Sequence, residues 1–158
     1  MTVQFPQVSG ANLERKKLNL PQDFEGRLNI LFVAFQQWQQ GEVNTWIPKA
    51  QDLEAGYPAL RYYELPTIRP LNRLAQAFIN SGMRAGIPDR LARQRTITLY
   101  LDKDTYRQAL DLPDEDHIYL LLIDGAGHVL WRERGIFTPE KGAALKAEIA
   151  QAMPEAGL

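Results

Sequence analysis

The chain is predicted to fold as an α/β domain, with a mixed sheet of about five strands, helices on both faces and an N-terminal hairpin extension. Three observations carry this. Leu28 to Phe35 is an almost unbroken β-branched and aromatic run, as expected of a strand covered on both faces. Apolar positions then recur three and four residues apart in segments that alternate with strand-like runs. Finally, Asp124-Gly125-Ala126-Gly127 supplies turn chemistry between two apolar segments, the mark of a hairpin.

Taken in order, residues 3–27 are punctuated by Pro6, Gly10, Pro21 and Gly26, which predicts a short irregular hairpin before the core. The first core strand follows. Glu42 to Ala55 then places Val43, Trp46, Ile47, Ala50 and Leu53 on one helical face, with Pro48 inside it to remove a backbone donor and kink the helix. Leu60 to Leu65 reads as a strand closed by Pro66. Leu71, Leu74, Ala75, Phe78 and Ile79 form a helical stripe that ends near Gly82 and Gly86. Thr96 to Leu101 alternates as a strand, and Asp104 to Leu112 is a short helix with Asp104 as its N-cap. Ile118 to Ile123 and His128 to Trp131 are the hairpin strands. Thr138-Pro139-Glu140 opens the last helix, with its stripe at Leu145, Ile149 and Met153. Residues 1–27 are expected to be an extension of one domain over 28–158.

Composition narrows the function. At 158 residues, with 45% hydrophobic and 23% charged side chains, the chain can bury roughly 68–70% of its unfolded surface without metal or disulfide. A net charge of −1 argues against a nucleic-acid binder or a globally basic membrane binder. No apolar stretch approaches the roughly 20 residues that span a bilayer, and Met1 to Gly10 shows no secretory pattern, which favours the cytoplasm. There is no cysteine. Thiol–disulfide exchange needs a thiolate to attack sulfur, so that reaction is excluded, as are disulfides and thiolate metal sites.

That absence matters because the layout resembles the thioredoxin-like superfamily, in its larger peroxiredoxin-like and membrane-anchored branch. The lead-in of Phe5-Pro6, Gly10, Leu20-Pro21 and Gly26 is similar to that branch, as is the strand and hairpin from Leu122 to Val129. Pro48 stands eight residues after Gln40, as a helix proline does after the first cysteine of thioredoxins. The resemblance thus puts Gln40 and Val43 at the two cysteine positions. It puts Ile118 where the family carries a cis-proline facing the active site, and a cis peptide is not expected before an isoleucine. Within the superfamily, Ile118-Tyr119-Leu120-Leu121, Val129-Leu130-Trp131, Gly135 and Arg84-Ala85-Gly86-Ile87-Pro88 are similar to segments of the mitochondrial ATP synthase assembly factor family. That likeness implies a non-catalytic factor that binds a protein partner, such as a membrane-complex subunit.

Candidate sites remain open between two readings. The turn Gln36-Gln37-Trp38-Gln39-Gln40 could offer amides to a peptide backbone and Trp38 as an apolar anchor, or it could be a degenerate loop with Trp38 tucked against the core. Arg84, Arg90, Arg93 and Arg95 could dock an acidic partner or phosphate, or form a solvated surface. Asp114-Glu115-Asp116-His117 reads as an acidic turn and not a metal site, because four adjacent ligand types seldom converge on one ion. No nucleophile elbow, phosphate loop or paired-carboxylate motif occurs, and no cofactor or metal is expected. The expected partner-binding residues are Trp38, Gln40, Glu42, Arg84, Arg90 and Ile118. An enzyme of non-thiol chemistry built on His117, Asp116 and nearby arginines, or a structural homo-oligomer, are the competing classes.

Overall fold

The computed structural model describes residues 3–153. Seven strands form one sheet: β1 (Val8–Asn12), β2 (Lys17–Leu20), β3 (Leu28–Ala34), β4 (Leu60–Ile68), β5 (Ile97–Tyr100), β6 (Tyr119–Asp124) and β7 (Val129–Arg134). Their spatial order is β2-β1-β5-β4-β3-β6-β7. β3–β4 and β4–β5 are parallel, and the remaining pairs are antiparallel. The expected five-stranded core is therefore β5-β4-β3-β6-β7, and the N-terminal hairpin widens it by pairing Ala11 with Thr98 and Asn12 with Ile97. Gly10 permits this approach, since a Cβ there would stand 2.5 Å from the carbonyl oxygen of Thr98.

Alternation along β3 sorts the core into two layers. Ile30 and Phe32 face one side, where α1 (Gln40–Gly56) and α5 (Pro139–Ala152) contribute Val43, Trp46, Leu145 and Ile149. Leu31 and Val33 face the other, against Phe5, Phe24 and Tyr106 of α4 (Lys103–Leu110). Both layers are closed by aromatic edges: Trp46 meets Phe137 at 5.2 Å between centroids and 90°, and Phe5 meets Phe24 at 5.7 Å and 78°. The indole of Trp46 is fully buried and donates to the Gly135 carbonyl at 2.9 Å, so its one polar atom is satisfied.

Several local expectations are corrected. β4 does not stop at Pro66 but runs to Ile68. The proline is tolerated because it falls where pairing with β3 gives out, after Val33 opposite Leu65 and Ala34 opposite Pro66, and before Thr67 pairs with Leu99. The cap of α4 is Asp102, whose carboxylate accepts from Thr105 N at 2.9 Å, while Asp104 sits in the first turn and pairs with Arg107 at 2.7 Å. α1 starts at Gln40, after a 3-10 turn at Gln37–Gln39, and is continuous through Pro48. Between β4 and β5 lie α2 (Arg73–Gly86) and α3 (Arg90–Arg95). The Arg95 guanidinium ties this insert down by pairing with Glu54 of α1 and lying 4.2 Å over the Tyr62 ring.

Candidate functional site

The junction of β3 and α1 brings four of the expected residues to one end of the sheet. Gln39 is the hub, buried although polar. Its Oε1 accepts from Phe35 N at 2.8 Å and Gln36 N at 3.3 Å, and its Nε2 donates to the Glu115 carbonyl at 2.5 Å. Gln36 donates to Glu115 Oε1 at 2.9 Å. Lys103 Nζ bridges the Phe35 carbonyl at 2.8 Å and Glu115 Oε1 at 3.3 Å. The turn is thus a closed network in which each buried polar group has a partner, as burial requires.

Glu42 performs the second closure. Sitting in the first turn of α1, it accepts the Ile118 backbone N–H on Oε1 at 3.0 Å and faces Nδ1 of His117 with Oε2 at 2.9 Å. A proline at 118 would have no N–H to give. Among the described residues the only cis peptide is Leu20-Pro21, so the bond before Ile118 is trans, as expected. Ile118 itself is wholly buried and belongs to the core layer under α1. Its side chain offers nothing to a partner; its backbone holds the loop to the helix.

Gln40 bridges outward, donating from Nε2 to Glu64 Oε1 and to Asn44 Oδ1, each at 3.0 Å. Glu64 was not singled out in the sequence, where it reads as the polar position of an ordinary strand. Its carboxyl is pushed above the usual carboxylate range by desolvation, with the Gln40 hydrogen bond opposing in part. Trp38 is the outlier of the turn. It is 60% exposed, so the expectation of a tryptophan tucked against the core fails: the backbone of the Gln37–Gln39 turn gives the inward position to Gln39 and turns Trp38 to solvent.

Arg84 and Arg90 are not part of this face. Both engage Glu14 at the tip of the N-terminal hairpin, at 3.2 and 3.5 Å. The acidic turn also disperses. Asp114 accepts from the Tyr119 hydroxyl at 2.8 Å, which helps hold its carboxyl below the usual range, while Glu115 takes Lys103 and Arg107, and His117 takes Glu42. Asp114, Glu115 and His117, side by side in sequence, thus each have a different partner, and Asp116 is exposed to solvent.

The same scaffold occurs in solved structures of thiol-redox and assembly proteins. The thioredoxin domain of thiol-disulfide oxidoreductase BVU-2223 from Bacteroides vulgatus is 14% identical, with a TM-score of 0.58 over 93% of this chain and 96% of that one. The pneumococcal exposed lipoprotein thioredoxin Etrx1 of Streptococcus pneumoniae is 14% identical, with a TM-score of 0.56 over 95% and 99%. BsSco, a member of the Sco family of cytochrome c oxidase assembly proteins, is 10% identical, with a TM-score of 0.65 over 98% and 96%. No family model and no curated protein matches the sequence. At such identities the neighbours establish a thioredoxin-like fold, and the absence of cysteine separates this chain from their thiol chemistry.

Two outcomes follow. Replacing Glu42 by Ala strands the Ile118 N–H and is expected to cost about 2 kcal/mol in denaturant unfolding, whereas Trp38→Ala costs less than about 0.5 kcal/mol. For Glu64 the folded pKa lies above the unfolded one, so its ionisation opposes folding as pH rises through that interval. Glu64→Gln is therefore expected to be more stable than wild type at neutral pH, with the advantage vanishing below the ordinary carboxylate range; a pH series of melting temperatures reads this directly.

Proposed function

We propose that this protein works by contact, as a non-redox assembly or chaperone-like factor that holds a protein segment at the β3–α1 face. The observation that carries the reading is Trp38: a large aromatic side chain, 60% exposed, on a turn whose neighbouring amides are tied down inside the fold. A rigid, solvent-facing aromatic on a fixed backbone is the type of anchor that dominates binding interfaces, because little side-chain entropy is lost on contact. Gln40 and the exposed edge of His117 flank it with hydrogen-bonding groups.

The class of partner follows from resemblance. Similarity of Ile118–Leu121, Val129–Trp131 and Arg84–Pro88 to the mitochondrial ATP synthase assembly factor family supports a subunit of a membrane complex as the client, and the Sco neighbour is likewise an assembly protein by description. Among the described residues no helix is long and apolar enough to cross a membrane.

The test is affinity capture from the native host with wild type, Trp38→Ala and a Trp38→Ala/Gln40→Ala pair. A specific protein retained by wild type and depleted roughly tenfold or more by the substitutions is expected, since an aromatic hot spot contributes about 2 kcal/mol or more. Retention of every captured protein by the pair rules the face out as the binding surface.

A further inference from the structure

α2 is an amphipathic helix that leaves two of its largest apolar side chains in solvent. Such a helix ordinarily turns its apolar stripe to the core. Here none of its fourteen residues is buried, and Leu74 and Phe78, one turn apart, are 83% and 82% exposed. Ala77, Ser81, Gly82 and Ala85 continue the same solvent-facing side, so it carries no charge along its length. The opposite side is mixed, with Ala75, Ile79 and Met83 half-buried beside Gln76 and Asn80. Asn80 accepts from the Tyr100 hydroxyl at 2.8 Å, and Gln76 and Asn80 roof a cavity of about 280 Å³ floored by Thr98, whose buried hydroxyl has no partner, and by Lys17.

The charges around this face are mainly basic, and the one carboxylate paired to it, Glu14, is shared by Arg84 and Arg90. No acidic residue occurs between Glu64 and Asp89, a stretch that holds Arg69, Arg73 and Arg84. Arg69 and Arg73 are exposed and take part in none of the ion pairs among the described residues. The hairpin that contacts α2 through Lys17 and the Glu14–Arg84 pair adds exposed Arg15 and Lys16.

We infer that α2 docks on an anionic lipid surface, with Leu74 and Phe78 entering the boundary between headgroups and acyl chains and the flanking arginines and lysines meeting lipid phosphates. Fourteen residues are too few to span a bilayer, which leaves the interfacial orientation. Two apolar side chains alone bind weakly and reversibly; the basic rim supplies the remainder and makes binding depend on anionic lipid. A two-fold contact with a second copy fits less well, because it brings the unpaired Arg69 and Arg73 of both copies to one interface. This surface is separate from the Trp38 face and its test does not depend on that reading.

The experiment is cosedimentation of the full chain with vesicles of phosphatidylcholine alone and of phosphatidylcholine with an equal part of phosphatidylglycerol. Binding to the anionic vesicles is expected, with release at high salt. Leu74→Ser combined with Phe78→Ser, both exposed and so compatible with a native circular dichroism spectrum, should weaken it at least roughly tenfold, and Arg69→Gln with Arg73→Gln should weaken it on anionic vesicles. The inference is overturned if wild type stays in the supernatant, if it pellets equally with phosphatidylcholine alone, or if the serine pair binds unchanged. It is also overturned if light scattering shows a dimer that the serine pair converts to monomers, which would assign the face to a second copy.

Discussion

The Glu42 carboxylate, shared between the Ile118 amide and the His117 ring, is the contact on which the functional end of the molecule depends. It joins the first turn of α1 to the loop before β6, two segments that the sheet brings together because β3 and β6 are neighbours with Phe32 opposite Leu120. Charge-assisted bonds of this kind are about twice as strong as neutral ones. This one requires a backbone N–H at the position where the thioredoxin resemblance places a proline. The resemblance expects two cysteines and a proline at this end of the fold; in this chain the Ile118 N–H instead closes a carboxylate–amide clasp with Glu42.

Beside that clasp, Gln36, Gln39 and Gln40 are engaged within the fold, whereas Gln37 is exposed to solvent. Gln36, Gln39 and Gln40 bond to Glu115, to backbone and to Glu64, and Trp38 is left 60% exposed. The amides of the turn hold backbone groups in place and have no useful acidity of their own.

Periodicity read most of the scaffold, because burial on both faces leaves a strong signature. Leu28–Ala34, broken only by Asn29, and Tyr119–Asp124, apolar up to its final aspartate, are both central strands. Where the sequence misled, a neighbour in space decided. Pro66 looks like a terminator until the change of pairing partner at that point is known, and Asp102 and Asp104 are indistinguishable as caps without the backbone angles. The stripe on α2 was legible as a helix, but periodicity gives a face and not its direction, so the outward turn of Leu74 and Phe78 was invisible. For Trp38 the sequence left two readings open, because tryptophan is usually buried, and the geometry of the Gln37–Gln39 turn decides between them by giving Gln39 the inward place.

The clasp can be measured at the atom that makes it. Native-state hydrogen exchange of the Ile118 amide, followed by NMR in wild type and in Glu42→Gln, reads whether that N–H is held by the carboxylate. Slow exchange in wild type that quickens markedly in Glu42→Gln at Ile118, with the amides of β3 unchanged, is the predicted result. An Ile118 amide that exchanges at the rate of an open loop in wild type, or one that is equally protected in both proteins, would contradict the account.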